Sequence, residues 1–226
     1  MKFSTQTLSV IKNLGQIYPG LYFRKGSKLS TLSDSKSVLA IARIEEDIPI
    51  DFAIHDLSRF LSALSLFPDF ELEFTNKYLL IKSGNKSTKY VYADPAVINK
   101  PPEKELTLQE EVISFTLSES EYTGAMRAAS VIDATHLNIS GNDGKLDLSV
   151  LDIKNPTGDT YSVELGDTEK TFNYVFKMDN IAKLRPDDYD VTIFRNKAGN
   201  KVALLARLIG KYITYYVALE QESSVD

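Results

Sequence analysis

Apolar residues recur early in the chain at Leu8, Ile11 and Leu14, while Thr5, Ser9, Lys12 and Gln16 fall on the opposite side of a helical repeat. That spacing predicts a helix over 5–16 with Ser4 as its N-cap. From Gly20 the period changes to short β runs at 21–25, 28–32 and 38–44, with turns at Gly26-Ser27 and Asp34-Ser35. The alternating stretch 48–54 is broken by Pro49, which has no N–H to donate, so this strand is expected to start there or lie at an edge. Asp56 can then cap a helix over 56–66. Leu57, Phe60, Leu61 and Leu64 form its inner side, and Ser58, Arg59, Ser62 and Ser65 its outer side. Strands are expected over 70–74, 78–82 and 89–92.

A connector follows, from Asp94 to Pro102. Its three prolines exclude regular helix, so it is expected to be extended. It carries two apolar residues, Val97 and Ile98, that a purely solvated linker does not need.

Beyond the connector the plan recurs. A strand over 112–117 leads to Ser118 and Glu121, a Ser-x-x-Glu capping box, and to a helix ending near Val131. Tyr122, Ala125, Met126 and Ala129 are its apolar side; Thr123, Arg127 and Ser130 face outward. Strands at 137–140 and 145–151 flank Gly141-Asn142-Asp143-Gly144, a hairpin turn. Further strands are expected over 160–165 and 171–177. The last runs through Asp179 into a short helix carrying Ile181, Lys183 and Leu184, stopped by Arg185-Pro186. Strands at 189–194, 201–208 and 211–219 complete the pattern, and the acidic tail from Glu220 is expected to fray. The reading is an α+β chain with two similar domains, 1–108 (connector included, from about 94) and 109–226, each with two short helices packed on antiparallel sheet.

Composition narrows the function. With 43% hydrophobic and 25% charged residues among 226, the chain is globular. It has no cysteine, which excludes disulfides, thiol catalysis and cysteine zinc sites and fits a reducing compartment. No apolar run suits a signal peptide or a membrane span, so a cytoplasmic location is expected. The formal net charge of −5 argues against a surface basic all over, but not against a local basic one.

The outward faces of the four helices supply such a surface. Each combines small hydroxyl or amide side chains with one or two cations: Lys12, Arg59, Arg127 and Lys183, with Arg185 just after the last helix. The acids lie elsewhere, at Glu45, Glu46, Asp47, Glu71, Glu73, Glu103, Glu105, Glu110, Glu111, Asp187, Asp188 and Glu222. An ordinary solvated helix face is one reading; weak contact with phosphates, without base readout, is the other. Arg24, Lys25 and Lys28 join that surface if their turn borders it.

Catalytic patterns do not assemble. His55 and His136 stand alone. Gly84-Asn85-Lys86-Ser87 lacks the upstream glycine of a P-loop and reads as a hairpin turn. Lys154 and Pro156 occupy the ligand positions an EF-hand needs in the acid-rich stretch 152–164. Asp187-Asp188 suits a metal or an acid–base pair, but a solvated turn suits it better. No cofactor and no metal site is expected.

Several stretches, taken in order and spacing, carry a likeness. They are Asp51-Phe52-Ala53-Ile54 running into Asp56-Leu57 and Phe60-Leu61; Leu64-Ser65-Leu66; Ala93-Asp94-Pro95; Leu165-Gly166-Asp167 with Thr171-Phe172-Asn173; and the ending Tyr216-Val217-Ala218-Leu219-Glu220, with Met1-Lys2 and Lys12-Asn13 at the start. Over nearly its whole length the chain resembles the DNA polymerase sliding clamps of T-even-type bacteriophages. The resemblance implies a non-enzymatic processivity factor of DNA replication: a head-to-tail homotrimeric ring, helices lining its hole, that encircles duplex DNA in the infected host cell's cytoplasm. It implies three further partners: the replicative DNA polymerase, which the ring tethers; an ATP-dependent clamp loader, which opens it; and partner peptides docking near the connector. Val97, Ile98, Val217 and Leu219 are the candidates for that pocket, with core packing as the other reading. A ring- or tube-forming virion assembly protein is the alternative, and a small hydrolase using the acid clusters a third reading.

Overall fold

The computed structural model describes residues 1–104, 106–155, 157–198 and 201–225, with the side chains of 198, 201 and 225 left aside. Glu105 and Pro156, named above, lie outside the described residues. Two compact units divide the chain, Met1–Glu105 and Leu106–Asp226.

Unit one runs α1 (Thr5–Ile17), β1 (Leu21–Phe23), β2 (Gly26–Leu32), β3 (Val38–Ile48), β4 (Phe52–Ile54), α2 (Leu57–Ser65), β5 (Glu71–Phe74), β6 (Tyr78–Ser83) and β7 (Lys86–Val91). Unit two adds a strand at the front, β8 (Glu110–Leu117), and then repeats the order. It continues α3 (Glu119–Val131), β9 (His136–Asn142), β10 (Lys145–Leu151), β11 (Tyr161–Asp167), β12 (Phe172–Lys177), α4 (Met178–Ile181), β13 (Tyr189–Ala198), β14 (Lys201–Ile209) and β15 (Ile213–Ala218), closing with β16 (Ser224–Val225). The pairings repeat too. β1 pairs with β4 as β9 does with β12, β2 with β3 as β10 with β11, and β5-β6-β7 form a meander as β13-β14-β15 do, all antiparallel.

Unit one closes over a cluster of rings. Phe23 and Phe52, register partners on β1 and β4, stack at 4.4 Å. Phe60 of α2 meets Phe23 edge-on at 6.3 Å and Tyr90 of β7 at 5.2 Å. Such aromatic pairs add to the area they bury. α1 buries Val10, Ile11, Leu14 and Ile17. Leu8, expected inward, is only half-buried, as is Leu61 of α2. The buried face of α1 is therefore turned from the one the spacing suggested, taking in Thr7, Val10, Asn13 and Ile17 beside Ile11 and Leu14. Gly15 lets the two helices close up, because a Cβ there would lie 3.3 Å from the Leu57 Cβ.

In unit two the capping box on α3 is complete: Ser118 Oγ accepts from the Glu121 N–H, and Glu121 Oε2 accepts from the Ser118 N–H. The β9–β10 hairpin turns on Asp143 and Gly144, both at positive φ (49° and 84°), as a tight primed turn requires.

Four expectations need correction. The stretch 48–54 is not one strand: β3 reaches Ile48, Pro49 ends it, and the chain re-enters a sheet only at Phe52. The chain does not run through Asp179 before the fourth helix begins: α4 already starts at Met178. β12 runs straight to Lys177, which takes the N-cap position of α4 with no side-chain cap, and Asp179 sits inside the first turn. The connector is not wholly extended: Asp94 caps a single 3-10 turn over Pro95–Val97. The tail is not frayed either. Glu220 N–H donates to the Val175 carbonyl at 2.8 Å, Ser223 Oγ accepts from Val175 N–H at 2.9 Å, and β16 pairs with β12.

Candidate nucleic-acid interface

The helix faces read from the sequence exist in the structure. On α1, Thr5, Lys12 and Gln16 are exposed; on α2, Ser58, Arg59, Ser62 and Ser65; on α3, Arg127 and Ser130. The hydroxyls on α2 turn back onto the helix: Ser62 Oγ donates to Ser58 O at 2.9 Å and Ser65 Oγ to Ser62 O at 2.8 Å. That leaves Arg59 as the group projecting from this face.

Lys12, Arg59 and Arg127 form no ion pair among the described residues. The cations that do are Lys2, Arg24, Lys82, Lys145, Lys177 and Arg195. No carboxylate is in direct contact with these three side-chain cations among the described residues, although the Asp56 carboxylate that caps α2 accepts the Arg59 backbone N–H at 2.9 Å.

Lys183 and Arg185 are placed differently. α4 ends at Ile181, so both lie in the segment after the helix, and both are half-buried. Three buried tyrosines hold that segment. Tyr122 O–H lies 2.8 Å from Ile181 O and 2.9 Å from Leu184 O; Tyr215 Oη accepts from Arg185 N–H at 3.2 Å; and Tyr189 O–H donates to Arg185 O. Their rings meet edge-to-face at 5.9 and 6.1 Å. Burial raises all three phenols, Tyr215 to about 12. Arg185 lays its guanidinium over Tyr212 at 5.4 Å, with Nη1 buried and unpartnered.

The turn after β1 is also engaged. Arg24 pairs with Glu103 at 2.7 Å. Asp51 accepts from Tyr22 O–H at 3.1 Å and from Lys25 N–H at 2.7 Å, and those bonds hold its carboxyl below the usual range. Lys100 of the connector lies over the Tyr22 ring at 4.3 Å. Here the connector is fastened to unit one by groups that sequence spacing could not bring together.

The candidates for partner-peptide docking differ in accessibility. Val97 is 54% exposed, whereas Ile98 packs against Gly20, where a Cβ would lie 2.8 Å from its Cδ1. In unit two Val217 is fully buried and Leu219 half-buried.

The acidic pair Asp187-Asp188 accepts backbone N–H groups. Asp187 takes Lys211 N–H at 2.9 Å and Asp188 N–H at 3.0 Å, while Asp188 takes Glu119 N–H at 2.8 Å, at the start of α3. The Gly84 stretch is the β6–β7 hairpin turn. His136 Nδ1 is 2.8 Å from Thr135 Oγ1, which also bonds Asp152 at 2.9 Å. Among the described residues no cluster of three or more His, Asp or Glu side chains suits a metal ion, and no helix is long and apolar enough to cross a membrane.

Known proteins resemble this chain in sequence and in fold. The family model "gp45 sliding clamp, C terminal" matches residues 126–221. The sliding clamp of Vibrio phage KVP40 is 28% identical over 97% of this chain and 99% of its own length. That of Escherichia phage RB69 is 27% identical over 100% of both. Among solved structures, PCNA of A. fulgidus, with the C-terminal region of FEN-1 bound, superposes with a TM-score of 0.62 at 16% identity, covering 96% of each chain. At that identity the likeness speaks for the fold alone. The chain thus has the two-domain α+β fold of sliding clamps and is similar from end to end to the sliding clamps of T-even-type phages.

Proposed function

We propose that this chain assembles head-to-tail into a homotrimeric ring that encircles duplex DNA and tethers the replicative polymerase in the cytoplasm of an infected host cell. The observation that carries the reading is the set Lys12, Arg59 and Arg127: exposed, free of ion pairs among the described residues, and set among small polar side chains on helices of an acidic protein. A closed ring holds DNA by topology, so its contacts need only keep the duplex centred. A few single cations acting on phosphates, many through water, do this without the base contacts that would stop sliding. The polymerase gains through effective concentration, since a tethered enzyme that leaves the primer end returns to it. The chain itself turns nothing over; opening of the ring falls to an ATP-driven loader.

Two strand edges suit the assembly. β7 ends the β5-β6-β7 sheet with Lys86 and Lys89 exposed, and β11 ends the β11-β10-β9-β12-β16 sheet with Glu164 and Asp167 exposed, two carboxylates that share the one ammonium of Lys145 and so keep a net negative charge. An unpaired edge is a template for another chain, and opposite charge sets its partner. An edge from each unit gives a heterologous contact, which closes into a ring when the rotation allows. Val97 is the accessible anchor for an apolar partner peptide; the A. fulgidus PCNA structure has the C-terminal region of FEN-1 bound.

The test is primer extension with the cognate polymerase and loader on a long template. Lys12→Glu, Arg59→Glu and Arg127→Glu together should leave the particle at three times 25.3 kDa by light scattering but shorten the products. Unshortened products refute the helix-face assignment, and a monomeric wild-type chain refutes the ring. No structural observation favours the virion-assembly alternative, and a clamp stimulates a polymerase where such a component does not.

A further inference from the structure

Unit two contains a cavity of about 460 Å³ away from its helices, between the start of β8, the β11–β12 turn, β12 and β13. Its inner wall is buried: Val112 is 8% exposed, Phe172 4% and Tyr174 0%. Tyr174 stacks on Phe172 at 4.5 Å, and its hydroxyl has no hydrogen-bond partner. Burial raises this phenol to about 12, so at neutral pH it is a protonated donor. Arg195 lines the same cavity with a quarter of its side chain exposed. Its Nη1 stands 3.6 Å from Glu110 Oε1, too far for a hydrogen bond. Of these two donors on the cavity lining, the Tyr174 hydroxyl has no acceptor, and Arg195 has Glu110 as an ion-pair partner beyond hydrogen-bond reach.

The rim has the opposite character. Glu110 is about half-exposed and Glu169 exposed, both on the cavity. Glu111 is engaged by Ser114 Oγ at 2.7 Å, and the Lys170 ammonium is drawn to the Val112 carbonyl. A ligand must therefore present an acceptor inward and positive charge outward. A bare polyanion meets the rim carboxylates on entry, and a neutral side chain leaves Arg195 with only its loose 3.6 Å pairing to Glu110, short of a charge-assisted hydrogen bond.

We infer that this cavity receives an acidic side chain of a partner protein flanked by basic residues. The carboxylate sits against Tyr174 and Arg195 and the flanking cations against Glu110 and Glu169. Charge-assisted bonds from a guanidinium to a carboxylate are about twice as strong as neutral ones, and the partner acid supplies the acceptor the Tyr174 hydroxyl lacks. This site lies within one unit and stands whether or not the ring forms.

An NMR titration of the full-length chain tests it with acetyl-Lys-Glu-Lys-amide as probe, and acetyl-Lys-Gln-Lys-amide, acetyl-Glu-Glu-Glu-amide and inorganic phosphate as comparisons. The first should shift the amide signals of residues 172–175 saturably, with about tenfold tighter binding than any comparison. Tyr174→Phe and Arg195→Gln should each weaken it about tenfold. Equal binding of the Glu and Gln peptides, equal binding of phosphate, or no saturable shift overturns the proposal. Tyr174→Phe removes an unpartnered hydroxyl, so its urea midpoint should equal or exceed that of the parent. A lower midpoint assigns the hydroxyl to the fold and also overturns the proposal.

Discussion

The Tyr122 hydroxyl lies 2.8 Å from the Ile181 carbonyl oxygen, joining the first turn of α3 to the end of α4. Its proton also faces Leu184 O at 2.9 Å. One buried side chain therefore fixes where the segment bearing Lys183 and Arg185 leaves its helix. Tyr122→Phe keeps the ring, leaves Ile181 O with only the Leu184 N–H and removes the hydroxyl donor from Leu184 O, in a site only 2% exposed. The expected loss is about 1–3 kcal/mol, measured as a lower urea midpoint. An unchanged midpoint would show that water replaces the hydroxyl.

The same tyrosines make stability fall in alkali. Folded Tyr215 is raised to about 12 from an ordinary value of 10.0, and Tyr122 and Tyr189 are raised by burial in the same direction. Above pH 10 the unfolded chain releases protons that the folded chain retains. The contribution is fully present below pH 10 and is lost as pH rises through about 12. Urea midpoints measured across that window should fall, and fall less steeply in Tyr122→Phe. A flat profile contradicts the assignment.

Glu46 acts as a distant cap. From β3 its carboxylate takes Ser4 N–H and Thr7 O–H at the start of α1, 42 and 39 residues away in sequence. Glu46→Ala takes this acceptor from the Ser4 N–H and from the hydroxyl of the buried Thr7 and removes a favourable negative charge from the helix N-terminus. A loss of about 1 kcal/mol is expected, with faster amide exchange confined to the first turn of α1. Exchange accelerated equally in β3 would point to a loosened strand instead.

Gly141 is fixed by space. A Cβ there would overlap the Lys170 carbonyl oxygen and lie 2.6 Å from Phe172 Cε1. Gly141→Ala must push β9 and β12 apart where they pair, at an expected cost of about 1–3 kcal/mol. Asn142→Ala, one residue on, is the comparison and should cost less.

What the sequence determined by itself is largely local. Hydrophobic period, the Ser118–Glu121 capping box and the Asp143-Gly144 turn each act over a few residues, and α1, α2, α3 and most strands follow from them. The outward cations Lys12, Arg59 and Arg127 were legible for the same reason: a helix face is set by spacing along one element. Tertiary structure decided what depends on contacts distant in sequence. Glu46 caps α1 only because β3 passes its end. Asp179 lies inside α4 because that helix starts directly after β12, at Met178, whereas two residues separate β4 from α2. The tail orders because β12 offers it a free edge. Arg185 turns onto Tyr212 because three tyrosines, scattered over 93 residues from Tyr122 to Tyr215, converge on its backbone. Periodicity reports which side of an element faces inward; which groups meet there depends on loop closure between distant segments, and no local pattern records that.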